Sequence, residues 1–285
     1  MPCLRTLLDG PETLALPGVF DGISARMAEA AGFPALYMTG YGTVASTLGM
    51  PDAGLASYAE MVDAVRRLAG AVSVPLIADG DTGYGGLLNV DRTVRGYQTA
   101  GAAGIQIEDQ EFPKKCGHTE GRRVIEAADA VAKIRVAVAA RDDADFLIVA
   151  RTDARYTHGL DEALHRGEQF LEAGADILFV ESPESLDELA RIGETFKGAI
   201  LLANMVEGGR TPFLSTAELA PLGFRIGLYP ASGFLAAAGA LQAVYARLAG
   251  GGTSVGADAP MLDFKAMNRL MGFPRIDEFD RRWRG

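Results

Sequence analysis

The sequence predicts an α/β protein, a closed parallel (β/α)8 barrel of the TIM type with a C-terminal helical extension, and three observations predict it. Eight short apolar runs recur at nearly even spacing. Stretches of helical periodicity lie between them, so the order is strand, helix, strand. Small residues ending in glycine lead into the next run in EAAGFPALY (29–37), TAGAAGIQI (99–107) and EAGADILFV (172–180), where glycine supplies a left-handed helix cap. Eight such units without an early GxGxxG turn favour a closed barrel over an open doubly wound sheet.

The strand-like runs are 14–20, 35–39, 75–79, 104–108, 146–151, 177–181, 200–204 and 225–229, and the clearest helical patterns are 58–68, 127–140 and 160–173. At 285 residues the length alone favours two domains, but α/β barrels of roughly 250 residues run as one. The barrel is expected over 1–249. Residues 250–257 read as a glycine-rich linker, and 259–283 as an amphipathic tail whose Met261, Leu262, Phe264, Met267, Leu270 and Met271 recur at helical spacing. Linker and tail, 250–285, are expected to serve oligomerisation.

A hydrophobic share of 48% against 22% charged residues allows a large buried core. The formal net charge of −10 argues against a nucleic-acid partner, because a polyphosphate needs clustered Lys and Arg. Two cysteines, Cys3 and Cys116, make no disulfide framework, so a reducing cytoplasm is the expected location. With no apolar run approaching 18 residues, no membrane association is expected.

Polar residues gather at the C-terminal ends of the strand-like runs: Asp79 and Asp81, Glu108 and Asp109, Arg151 and Asp153, Glu181, and Asn204. In a barrel those ends converge, and charges costly to bury in a sheet are better explained there by a site than by packing. IADGDTGYGG (77–86) sets Asp79 and Asp81 in a tight turn, and with Glu108 they offer the oxygen ligands that Mg²⁺ prefers. The loop EFPKKCGHTEGRR (111–123) puts Cys116 beside Lys114, Lys115, His118, Arg122 and Arg123, a setting expected to favour thiolate and to suit a proton donor or nucleophile. Without a CxxC partner the cysteine does not point to zinc.

KKCGH (114–118) after IEDQ (107–110) resembles the signature loop of the isocitrate lyase and phosphoenolpyruvate mutase superfamily. The resemblance extends in order through LYMTGYG (36–42), LGMPD (48–52), DGDTGYG (79–85), ARTDA (150–154), FVES (179–182), LLANMVEGG (201–209) and LYPASGF (228–234). It implies a small 2-oxo or 2-hydroxy carboxylate as substrate, held with Mg²⁺ (or Mn²⁺). One carboxylate would lie against the backbone amides around Thr39, Gly40 and Tyr41, with Arg151 and Asn204 on the same core. Asp52, Asp79, Asp81 and Glu108 fall on the metal-site positions, most contacts being expected through water. The Cys116 thiol would protonate the carbanion left by C2–C3 cleavage, Tyr37 would take the hydroxyl proton, and Glu181 and His118 would support the thiol. The resemblance also implies a helix-swapped homodimer, commonly paired into a homotetramer.

Members that cleave tricarboxylates carry an arginine shortly after the YP motif, where this chain has Leu235. An apolar side chain cannot pair a carboxylate, so the expected substrate is a 2-alkylmalate or 2,3-dimethylmalate cleaved to a 2-oxo acid such as pyruvate. Carboxyphosphonoenolpyruvate phosphonomutase chemistry is the runner-up, then methylisocitrate cleavage and oxaloacetate decarboxylation. A non-catalytic barrel ranks last. Tyr41, where lyases tend to have a small residue, is expected to narrow the pocket or reshape the carboxylate site.

Overall fold

The computed structural model describes residues 3–117 and 119–284. Eight parallel strands close into a barrel in sequence order: β1 (Leu14–Val19), β2 (Leu36–Met38), β3 (Leu76–Asp79), β4 (Gly104–Glu108), β5 (Leu147–Thr152), β6 (Ile177–Val180), β7 (Ile200–Asn204) and β8 (Ile226–Tyr229), with β8 pairing back onto β1. Seven of the eight expected runs contain their strands, and β5 extends one residue beyond its run, to Thr152.

The helices are α1 (Leu4–Asp9), α2 (Gly22–Ala30), α3 (Gly40–Leu48), α4 (Tyr58–Ala71), α5 (Leu87–Thr99), α6 (Ala127–Ala140), α7 (Ala154–His158), α8 (Leu160–Glu172), α9 (Leu186–Thr195), α10 (Thr216–Leu219), α11 (Ser232–Gly251), α12 (Phe264–Leu270) and α13 (Phe273–Trp283). Local chemistry sets several starts: Ser57 and Glu60 form a capping box on α4, and Ser185 caps α9 through the Glu188 amide. The punctuating glycines Gly32, Gly101 and Gly174 sit at φ 91°, 99° and 98°, the left-handed caps expected of them.

Alternation along the strands divides the core and places the site. In β5, Leu147 and Val149 face the barrel interior, whereas Ile148 and Ala150 face the helices. Tyr37, Ile77, Phe179 and Leu202 belong to the same interior layer. Two residues further along those strands the interior face carries Thr39, Asp79, Arg151, Glu181 and Asn204, so the functional side chains continue the core column into the mouth. Register adds lateral order, with Glu108 opposite Arg151 and Gln106 opposite Asp79.

Three features depart from the sequence reading. Helix α1, not anticipated, plugs the opposite end of the barrel with buried Leu4 and Leu8, while Arg225 donates to the Leu8 and Gly10 carbonyls. Asp109 points away from the mouth, where its carboxylate accepts from Thr152 Oγ1 (2.7 Å), the Asp153 amide (2.8 Å) and Arg166 (3.1 Å), tying β4 to β5 and α8. Burial pushes that carboxyl up to about 6, with the neighbouring Asp153 adding to the rise. The glycine stretch from 250 begins as helix, since α11 runs to Gly251 before Gly252 caps it.

Helix α11 has no buried residue, although it stands where the last barrel helix packs. Between it, β1 and α2 lies a cavity of about 1050 Å³ lined by Pro17, Ile23, Met27, Phe33, Ala240 and Leu241. Helix α12 reaches α2, where Arg26 donates to the Leu270 carbonyl (3.4 Å), while Met261, Leu262 and Phe264 stay exposed. Among the described residues no helix is long and apolar enough to cross a membrane.

Candidate active site

A pocket of about 250 Å³ opens at the C-terminal end of the strands, where barrel enzymes place their chemistry. Tyr37, Thr39, Tyr41, Asp52, Asp79, Glu108, Cys116, Arg151, Asn204 and Leu235 all line it. Asp81 lies beneath Lys114, and Glu181 beneath Gly117, each within contact of the lining. His118 falls outside the described residues. The sequence expectation thus brings nearly all of its candidates to one cavity.

Arg151 is the buried cation of the mouth. Asp153 grips it through two hydrogen bonds, from Nε at 2.9 Å and Nη2 at 3.0 Å, and Glu108 and Glu181 lie 3.3 and 3.4 Å from its other faces. Burial opposes its charge, but the carboxylates of Asp153, Glu108 and Glu181 outweigh that cost and hold the guanidinium firmly protonated. Asn204 donates to Glu181 Oε2 (3.1 Å). Tyr37 donates to Gln106 Oε1 (2.8 Å); burial, and then the Asp79 charge, push its phenol well above the usual range, with Arg151 opposing.

The loop bearing Cys116 lies folded over the pocket as a lid. Lys114 reaches Asp52 at 2.5 Å and Asp81 at 2.6 Å, the Cys116 amide donates to the Asp52 carbonyl (3.3 Å), and Ser182 Oγ donates to the Gly117 carbonyl (2.9 Å). Gln110 clamps the base of the loop through both the amide and the carbonyl of Lys115, each at 2.9 Å. Gly117 is needed for close approach: a Cβ there would come within 2.5 Å of Arg151 Nη2 and 2.8 Å of Glu181. At Gly40 a Cβ would meet Asp79 Oδ2 at 2.5 Å.

Four of the cations expected around the thiol have other partners. Lys114 is spent on Asp52 and Asp81, Lys115 donates to the Glu120 carbonyl, Arg122 pairs with Asp153, and Arg123 pairs with Glu111. These contacts fasten the loop to the barrel and to its own backbone.

The acids also differ from a simple cage. Among the described residues no three His, Cys, Asp or Glu side chains converge closely enough to ligate one ion directly, and the Lys114 ammonium stands between Asp52 and Asp81. The donor set still fits a hard divalent cation. It is carboxylate only, Glu108 Oε1 is buried without a hydrogen-bond partner, and burial pushes Asp81 up to about 7 and Glu108 well above its usual range. Those are the shifts that a bound cation reverses.

Sequence reasoning missed Lys114 as counter-ion of the acids, Ser182 as a lid contact, Gln106 as partner of Tyr37, and Phe234. Phe234 stacks on Tyr41 (ring centroids 5.1 Å apart) and meets Phe20 edge-on at 6.5 Å. Tyr41 therefore forms part of an aromatic wall beside Leu235. The YPASGF segment held the only sequence signal for it.

Carboxylates and one fixed guanidinium at a barrel mouth, beneath a lid that carries a thiol, define an enzyme built to handle a small organic acid. Comparison with known proteins makes this specific. The family model described as phosphoenolpyruvate phosphomutase matches residues 4–249. The chain is 48% identical over 277 residues to the 2,3-dimethylmalate lyase of Eubacterium barkeri, covering 97% of this chain and 96% of that one. It is 43% identical over 250 residues to the 2-methylisocitrate lyase of Aeropyrum pernix, covering 88% and 80%. Among solved structures, oxaloacetate acetylhydrolase in complex with 3,3-difluorooxalacetate superposes with a TM-score of 0.93 at 36% identity, covering 99% of this chain and 96% of that one. Phosphonopyruvate hydrolase in complex with oxalate and Mg++ superposes at 0.87 with 31% identity, covering 99% and 98%. The chain belongs to the phosphoenolpyruvate mutase/isocitrate lyase superfamily and is an enzyme of it.

The tight seat of Gly117 generates a prediction. Gly117→Ala should keep the fold but hold the lid off Arg151 and Glu181, lowering kcat/KM by about 100-fold, since a misplacement of about 1 Å costs that much. Steady-state kinetics beside an unchanged circular dichroism spectrum check it.

Proposed function

We propose that the enzyme cleaves the C2–C3 bond of a 2-alkylmalate, with 2,3-dimethylmalate first, giving pyruvate or a related 2-oxo acid and a carboxylate. The observation that carries this reading is the apolar wall of Leu235, Phe234 and Val206, which lies in the pocket that also holds Arg151, the only arginine among its described lining residues. Such a pocket suits a methyl-bearing carbon and gives a third carboxylate no arginine of its own.

Asp79, Asp81 and Glu108, with Asp52, would hold Mg²⁺ (or Mn²⁺), in part through water, and when bound the ion supplies positive charge where a 2-oxo acid or its oxyanion develops negative charge. Gly40 and Tyr41, at the start of α3, present backbone amides to one carboxylate beside Thr39, whose own amide is bonded to the Val19 carbonyl, and Arg151 and Asn204 hold the same core. Tyr37 takes the C2 hydroxyl proton as its phenolate, the form that the charges of Arg151 and of a bound cation would favour against the burial that raises its phenol. The C2–C3 pair then stays on C3, C2 becomes the carbonyl carbon of the 2-oxo acid, and Cys116 delivers its proton to C3. The thiol acts here as the acid, so it must start protonated and be placed over C3 by the closed lid. Glu181 and His118 support the thiol, and the closed lid excludes water.

Cys116→Ser should reduce turnover of 2,3-dimethylmalate by at least about 100-fold, while oxalate with Mg²⁺ still binds by calorimetry. Full turnover by the variant would refute the acid role. Leu235→Arg should raise activity on methylisocitrate by about 10-fold or more at the expense of the alkylmalate. Efficient cleavage of methylisocitrate by the unaltered enzyme would overturn the substrate assignment.

Carboxyphosphonoenolpyruvate phosphonomutase chemistry stands second, since it uses the same cysteine loop and the same apolar wall. Methylisocitrate cleavage and oxaloacetate decarboxylation rank below it. The enzyme is assigned to the cytoplasm, where Cys3 and Cys116, which form no disulfide, stay reduced.

For assembly, the reading is a barrel over 1–249 and an extension over 250–285 that joins subunits. The unburied α11 and the apolar cavity beside β1 and α2 support a homodimer in which that helix is exchanged, with dimers pairing into a tetramer. Sedimentation should show a dimer or tetramer at micromolar concentration; a monomer would remove the exchange.

A further inference from the structure

Beneath the lid, one carboxylate receives two arginines from different parts of the chain. Asp153 Oδ1 accepts from Arg122 Nη1 at 2.6 Å and from Arg151 Nη2 at 3.0 Å, and its Oδ2 accepts from Arg151 Nε at 2.9 Å. The side chains of Arg122 and Asp153 are both 0% exposed. The Asp153 amide is itself fixed by Asp109 (2.8 Å), which is held in turn by Thr152 and Arg166.

Arg122 ends the lid and takes no part in lining the pocket. Its Nε and Nη2 are buried without a hydrogen-bond partner, so its charge is met by Asp153 and by the ring of Tyr156, 4.5 Å from the guanidinium carbon. Tyr156 also accepts from the Gly121 amide through its hydroxyl (3.1 Å), and Arg210 covers its other approach at 5.2 Å. An arginine so placed, with a single carboxylate, is costly to bury unless that contact is made. The same contact sets the plane of Arg151, because a forked carboxylate–guanidinium pair fixes orientation as well as charge.

We propose that Asp153 is a positioning residue that couples the grip of Arg151 on a bound carboxylate to closure of the lid, with Arg122 as the arm that carries the coupling. Seating the lid brings Arg122 onto Asp153, and Asp153 then holds Arg151 with Nη1 turned toward Glu108 and the pocket. An open lid removes Arg122 from Oδ1 and loosens that orientation. The inference rests on the carboxylate-binding role assigned to Arg151 above.

The test uses trypsin and oxalate. Lys115 and Arg123 are exposed on the lid, so its opening is read by cleavage there in the ligand-free protein. Arg122→Met and Asp153→Asn should each speed that cleavage about tenfold and weaken the binding of oxalate with Mg²⁺ by about 10- to 100-fold, the range seen when a partner that orients a ligating group is removed. The melting temperature of Arg122→Met should stay near that of the parent, and Arg122→Lys should restore part of both effects. The decisive variant is Arg122→Met, which touches no part of the pocket: normal oxalate affinity with a loosened lid would overturn the coupling, and so would unchanged cleavage. Should Asp153→Asn fail to fold, the two Arg122 variants decide alone. Failure of the unaltered protein to bind oxalate would instead count against the carboxylate-binding role, and the cleavage rates would still accept or reject the lid contact.

Discussion

The mouth of this barrel buries more carboxylates than cations, and the rest of the site is arranged around that imbalance. Asp79, Asp81, Glu108, Asp153 and Glu181 are all buried at or beneath the strand ends, with Arg151, Lys114 and Arg122 to answer them. Removing such charges from water costs several kcal/mol per ion unless each finds a partner. Arg151 meets part of the need from within the barrel. Lys114 and Arg122 meet another part from the lid, so the charge that prepares the pocket also draws the loop down. What is left, with Asp81 and Glu108 pushed toward their neutral forms, is a carboxylate surplus of the kind that suits a hard cation.

This arrangement changes the meaning of the lysines and arginines in KKCGHTEGRR. Read as a string, they surround the thiol and promise a thiolate. In three dimensions they are fasteners: Lys114 to Asp52 and Asp81, Arg122 to Asp153, Arg123 to Glu111. Neighbours in sequence on an irregular loop point in different directions, and only the partners brought by other strands determine where each charge goes. Those partners latch the loop onto the barrel. Proton delivery is compatible with that outcome, because it asks for placement of the sulfur within a closed cavity more than for a depressed pKa.

Much of the fold was legible for a physical reason that also sets the limit. Strands buried on both faces read as continuous apolar runs, and the barrel alternates interior and exterior residues with a period of two. Ile77 therefore announces Asp79, and Val149 announces Arg151. Glycine caps at 32, 101 and 174 fix where the helices stop. Helix α1 escaped because a six-residue plug carries too little periodicity to stand out. Asp109 was misplaced because adjacency to Glu108 suggested a shared role, whereas successive strand residues face opposite sides. Ser182 and Gln106 gave no signal, since their importance lies in contacts formed across the barrel.

The choice of substrate depends on the opposite quality, the absence of charge. Phe20, Phe234 and Tyr41 form a run of ring contacts, and Leu235 follows Phe234 on the first turn of α11. Because α11 buries none of its residues, this wall is supported mainly by its own aromatic stacking and by Gly42, where a Cβ would lie about 3.0 Å from both Phe20 and Phe234. A methyl group on C3 loses little on meeting such a surface, whereas a carboxylate there would shed its water for no partner. One methyl group is worth only about 1 to 3 kcal/mol, so on the proposed reading the wall would select a class of alkyl acids and leave fine discrimination to the shape of the rings. The proposed function thus assigns specificity to the least charged part of the pocket, and chemistry to the most charged.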